Sequence, residues 1–120
     1  MVVSDAFRLP CLVPEPNMTD HITAKIATRA NVYFDGRCVS HSIELPDGSK
    51  KSVGVILPSS ITFNTDAPEV MELVAGSCRV KLPGSTAWVN YVGGQSFSVP
   101  AKSAFDIEVT DALHYVCHFG

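Results

Sequence analysis

The sequence has no excess of basic charge. Nine Lys and Arg stand against twelve Asp and Glu, a net charge of −3 over 120 residues. A chain so balanced has no electrostatic footprint for nucleic acid or an anionic membrane. It also lacks any apolar run near the ~20 residues that a spanning helix needs. The opening stretch, Met1 to Arg8, has no basic segment followed by an apolar one, so no secretory leader is expected. The four cysteines (Cys11, Cys38, Cys78, Cys117) contain no C-x-x-C pair and read as reduced thiols of a cytoplasmic protein. No Ser-His-Asp or Cys-His arrangement follows from spacing, and no glycine loop suited to cradling phosphate is present. There is no internal repeat, and no segment carries a 3.6-residue apolar stripe.

What is present is a chain that is 46% hydrophobic and 18% charged, enough for one folded domain. Pro10, Pro14 and Pro16 break any period near the start, so residues 1–28 read as a mostly irregular, partly flexible N-terminal extension. Met18 is an alternative start, and removing residues 1–17 is expected to leave the fold and activity largely intact. Residues 29–120 read as an all-β domain. Short runs rich in Val, Ile, Phe and Tyr recur between turn signals such as Asp35-Gly36, Pro46-Asp47-Gly48 and Gly93-Gly94. The expected strands include Val70–Ala75 and Ser77–Leu82 on either side of Gly76, and Ala104–Val109 and Leu113–Phe119. About nine short strands in ~90 residues imply a sandwich or barrel.

Successive strand residues face opposite sides, which sorts the candidates. Met71 and Leu73 are the natural inward pair of their strand. That parity carries Glu69 inward and Glu72 outward. A carboxylate aimed into an apolar interior must be hydrogen-bonded or neutralised, so Glu69 is either a structural carboxylate or a functional one. Tyr33, Phe63, Phe105 and Tyr115 are either core or a stacking surface. Lys50 and Lys51 are either a solvated strand entrance or an anion site. Trp88, Val89 and Tyr91 are expected on an outer apolar face, whose covering, together with that of a free sheet edge, implies a homodimer.

Glu69, seven residues before Gly76, and Gly94, six before Pro100, resemble the skeleton of the two cupin motifs. The fold expected is therefore a cupin-type β-barrel (double-stranded β-helix, or jelly roll). The histidines of those motifs are replaced: Phe63 and Thr65 (or Thr62 and Asn64) stand at the pair, and Phe105 at the third. A transition metal wants two or three imidazoles beside the carboxylate, so no metal is expected there. His114 and His118 would lie ~13 Å apart on a strand, too far to share one ion.

Several segments together resemble the pyrimidine/purine nucleoside phosphorylase family of small cupins over about residues 30–120. They are Asn31 to Gly36, Ser52-Val53-Gly54-Val55, Thr62-Phe63 through Pro68-Glu69-Val70-Met71, Trp88, Gly94 through Pro100, and Tyr115-Val116-Cys117. Lys102, Asp106 and His118 depart from the residues expected in that pattern. The resemblance implies phosphorolysis of diverse purine and pyrimidine nucleosides to free base and ribose 1-phosphate. Inorganic phosphate is then the co-substrate, with no cofactor. Glu69 is then the catalytic carboxylate, Tyr33, Phe63, Phe105 and Tyr115 contact the base, and Lys50 or Lys51 meets phosphate. The alternative is a non-catalytic cupin that binds a sugar or nucleoside through the same residues. A metal oxygenase or isomerase cupin is disfavoured by the missing histidines.

Overall fold

The computed structural model describes residues 21–119. Its strands are β1 (Lys25–Ile26), β2 (Asn31–Tyr33), β3 (Cys38–Glu44), β4 (Lys50–Ile56), β5 (Ser59–Asn64), β6 (Glu69–Lys81), β7 (Val89–Val92), β8 (Ser96–Val99) and β9 (Ala104–Phe119). A 3-10 turn, Phe34–Gly36, joins β2 to β3. The only helical element among the described residues is this turn, so none is long and apolar enough to cross a membrane.

Two long strands organise the rest. The first half of β9 pairs with β5, its second half pairs with β4, and β6 runs antiparallel beside it throughout. β6 in turn carries β8 on its first half and β7 on its second. All pairings are antiparallel, and the hydrogen-bonded path β1-β3-β4-β9-β6-β7 does not close on itself among the described residues. This is the all-β, cupin-type arrangement that the motif skeleton implies. β1 lies inside the expected extension and pairs with β3, Lys25 opposite Glu44. The rest of what was expected of residues 1–20 lies outside the described residues.

Gly76 does not separate two strands. It is a bulge inside one continuous β6, and β9 is likewise unbroken where two strands were expected. The bulge changes which side chains face inward. Before it, the buried residues are Met71 and Leu73; after it, they are Cys78 and Val80. Successive register shifts against β9 between Leu73 and Cys78 flip the parity, which keeps Arg79 and Lys81 out of the core. Only glycine suits the position. Its φ is +99°, and a Cβ would lie 2.1 Å from the Ala112 carbonyl oxygen. The second glycine-punctuated unit docks here too: Gly93 N–H donates to Gly76 O at 3.1 Å and Gly94 N–H to Leu73 O at 2.7 Å.

The core lies between the two halves of the folded sheet. Ile56, Leu73, Val80, Val99, Ile107 and Leu113 are each less than 2% exposed. Tyr91 departs from expectation: its ring packs inward on Phe97, with centroids 5.1 Å apart, instead of joining an outer face. Trp88 lies over the outer side of β6, with Arg79 and Lys81 above its ring at 4.5 and 5.2 Å.

Candidate active site

Apolar packing stops short of one end of the interior. There the inner faces of β2, β3, β4, β5, β6 and β9 leave an open cleft of about 430 Å³. Glu69, Tyr33, Phe63, Phe105 and Tyr115 all line it; Lys50 and Lys51 do not. Parity explains Lys51. Ser52 faces the cleft, so its neighbour points to the opposite side, where Lys51 Nζ donates to His118 Nδ1 at 2.6 Å. His118 Nε2 then donates to Glu72 Oε1 at 2.8 Å. Lys50 shares the parity of Ser52 but stands exposed at the strand's end.

Glu69 is half-buried at the start of β6. Its Oε1 accepts from the Cys117 thiol at 3.6 Å, and no cation pairs with it among the described residues. Burial raises its pKa above the ordinary 4.5, the thiol partly offsets that, and the charge of Asp66 adds to it. The thiol responds in kind: burial first, then Glu69, pushes Cys117 up to about 12, so it stays a neutral donor. Cys78 rises to about 11 by burial alone.

Phe63 and Phe105 face each other across β5 and β9, with centroids 5.5 Å apart and planes 24° from parallel. Two of the positions where metal cupins carry histidine thus hold a stacked hydrocarbon pair. Thr65 is buried and donates to Pro100 O at 2.7 Å. Among the described residues no three His, Cys, Asp or Glu side chains come together to hold a metal ion.

Phe34 was not singled out by the sequence. Its ring meets Phe63 edge-on at 5.2 Å, and its backbone has φ of +53°, a left-handed conformation rare for a bulky residue. Arg37 holds it there: its backbone N–H and its Nε–H both donate to Phe34 O, at 3.1 and 3.0 Å. Strain maintained in this way at a cleft is often tied to function.

Tyr115 reaches its place through a gap. Gly54 sits opposite it on β4, and a Cβ there would lie 2.9 Å from the Tyr115 hydroxyl and 2.7 Å from Ser40 Cβ. The phenol therefore crosses β4 to lie 3.5 Å from Cys38 Sγ on β3. Burial pushes its pKa well above the usual range, so it remains a neutral phenol. The remaining wall is polar: Asn31, Ser40, Ser42 and Ser52 line the same cleft. Their signal was in the sequence as Cys38-x-Ser40-x-Ser42, a period-two run of small polar residues on one strand face.

A profile of the family described as pyrimidine/purine nucleoside phosphorylase matches residues 28–119. The chain belongs to the pyrimidine/purine nucleoside phosphorylase family. A relative of that name from Leptothrix cholodnii is 64% identical over 104 residues, covering 86% of this chain and 100% of its own. Another from Thiobacillus denitrificans is 67% identical over 96 residues, covering 79% of this chain and 92% of its own. Among solved structures, a protein of unknown function (DUF1255) from Acinetobacter sp. ADP1 superposes with a TM-score of 0.78 at 46% identity. The match covers 81% of this chain and 94% of that one. The Schizosaccharomyces pombe Cnp3 cupin domain aligns with a TM-score of 0.57 at 11% identity, over 78% of this chain and 70% of its own. That last likeness is one of fold alone. Membership of the phosphorylase family brings small-molecule substrates with it.

Proposed function

We propose that this cleft catalyses phosphorolysis of purine and pyrimidine ribonucleosides, giving free base and ribose 1-phosphate. The observation that carries the reading is Glu69: a half-buried carboxylate with no paired cation among the described residues, facing a cleft walled by aromatics. As the bond from C1′ to the base lengthens, the sugar gains oxocarbenium character. A fixed negative charge beside it is worth more in that state than in the ground state. A phosphate oxygen forms its bond to C1′ as the C1′–N bond breaks. The electron pair leaves with the base, which takes a proton from water.

Phe63, backed by Phe105 and flanked by Phe34 and Tyr33, offers faces and edges for the base. Stacking tolerates different bases because each has a π-face, whereas hydrogen-bonded edge readout would discriminate. The reading includes a cytoplasmic protein working as a homodimer without a cofactor. Incubating it with several nucleosides, with and without inorganic phosphate, tests the reaction. Release of free base only when phosphate is present is the expected result. Nucleoside binding without release would make the protein a binding cupin instead.

A further inference from the structure

The family's reaction needs a place for phosphate, and the cleft presents a problem. No Lys, Arg or His lines it among the described residues, while Glu69 already contributes a negative charge. An anion entering this space has to be held by neutral donors, well away from that carboxylate.

We infer that Asn31, Ser40, Ser42 and Ser52 form the phosphate subsite; this rests on the phosphorolysis reading. Three observations converge on the cluster. First, Ser52 is 9% exposed and lines the cleft, and its hydroxyl has no hydrogen-bond partner among the described residues. No fully enclosed side-chain polar atom among the described residues lacks a partner, so this hydroxyl opens on the cleft, where solvent or a bound ligand meets it. Second, Asn31 Nδ2 is shared between Ser40 Oγ at 3.4 Å and Ser42 Oγ at 3.3 Å. These bonds are at the long end of the range and are readily exchanged for shorter ones to a charged oxygen.

Third, the register sets the distances. Ser42 pairs with Ser52, Ser52 with Cys117, and the Cys117 thiol carries Glu69 Oε1. Adjacent strands lie ~4.8 Å apart, so the hydroxyls stand roughly 5–10 Å from the carboxylate, about the width of a ribose. The stacked pair Phe63 and Phe105 sits on β5 and the first half of β9, away from β3 and β4. Displacement at C1′ needs nucleophile and leaving group on opposite sides of the carbon. Base at the aromatic end, sugar beside Glu69 and phosphate at the serine end meet that need.

The test is the dependence of base release on inorganic phosphate for wild type, Ser52→Ala, Ser42→Ala and Ser60→Ala. Ser60 is on β5, exposed and outside the cleft. Each cleft substitution should raise the phosphate KM about tenfold, the usual cost of one hydrogen bond to a charged group, with little change in nucleoside KM. Ser60→Ala should match wild type, and Ser52→Thr, which keeps a hydroxyl, should recover most of the loss. If wild type releases base but Ser52→Ala and Ser42→Ala keep its phosphate KM within twofold, the subsite is wrong while phosphorolysis stands. If wild type releases no base from any nucleoside, phosphorolysis itself falls. Titration with inorganic phosphate by 31P line broadening then decides the anion site alone. Broadening lost in Ser52→Ala supports it; broadening unchanged, or absent from wild type, overturns it.

Discussion

Two cross-strand rows of the same sheet, four residues apart along each strand, have opposite characters. The row Cys38–Ile56–Leu113 is tightly packed, every member no more than 1% exposed, although Cys38 and Ile56 reach the inner wall of the cleft. The row Ser42–Ser52–Cys117–Met71 is a wall of hydroxyl, thiol and thioether that opens on the cleft and brings Glu69 to its edge. Between them runs Ser40–Gly54–Tyr115–Leu73, where the missing side chain of Gly54 lets the phenol cross the sheet. One backbone ladder thus serves both as core and as site. Apolar volume at one end stabilises the fold. At the other end that volume is withheld, and polar groups aimed inward meet one another along the cleft wall, Asn31 with Ser40 and Ser42, and Glu69 with Cys117.

The largest effect should come from the carboxylate at the open end. Glu69→Gln keeps the shape and removes the charge, so kcat is expected to fall by a factor of ~100 or more, as when one transition-state electrostatic contact is lost. Stability should move the other way. Because burial raises its folded pKa, Glu69 contributes stability that is present below 4.5 and lost as pH rises through the raised value. The glutamine variant should therefore melt at or above the wild-type temperature at pH 7. In the proposed mechanism the ionised form acts, so the acid limb of kcat/KM should lie above pH 4.5 in wild type and vanish in the variant. A limb that persists in Glu69→Gln assigns it to another group.

The packed end should answer in stability instead. Leu113→Ala, at 0% exposure, should cost about 3 kcal/mol by loss of transfer energy and by the cavity left behind. Ser52→Ala, two residues before Gly54 on the neighbouring strand, should cost under about 1 kcal/mol, since its hydroxyl has no protein partner among the described residues to lose. Urea denaturation of both variants measures the contrast. Equal losses would mean that the serine row is ordinary core.

These two rows differ in how far the sequence discloses them. The inward direction of Glu69, Met71 and Leu73 follows from a period of two within one strand, and so does that of Phe105, Ile107 and Val109. The glycines at 76 and 94 mark left-handed backbone and Gly93 a close approach to Ala75, although not that β6 continues through the first of them. The serine row is harder, because Ser42, Ser52 and Cys117 become neighbours only through pairings between strands far apart in the chain. Nothing local sets that register. Lys51 shows the same limit. As a cation near a strand start it suggests an anion site, yet its parity relative to Ser52 turns it to the outer face. Phe34 needed the backbone itself, since its left-handed conformation leaves no mark in composition.

The smallest effect should belong to Glu72, three residues from Glu69 and on the other face of β6. Lys51 has donors only, so His118 Nδ1 must accept from it, which leaves Nε2 to carry the proton donated to Glu72. A glutamine at position 72 still offers an oxygen to that proton and loses only a charge at a partly solvated surface. Such pairs are worth about 1 kcal/mol or less. Glu72→Gln should therefore lower stability by no more than that and leave kcat within twofold of wild type. Thermal unfolding and steady-state kinetics on this variant and Glu69→Gln, prepared together, make the comparison. The two carboxylates occupy opposite faces and lie ~10 Å apart along the strand, so a difference in kcat reports which of the two positions carries the catalytic charge. A fall in kcat for Glu72→Gln as large as that for Glu69→Gln would place the catalytic charge on the outer face and undo the assignment of the cleft.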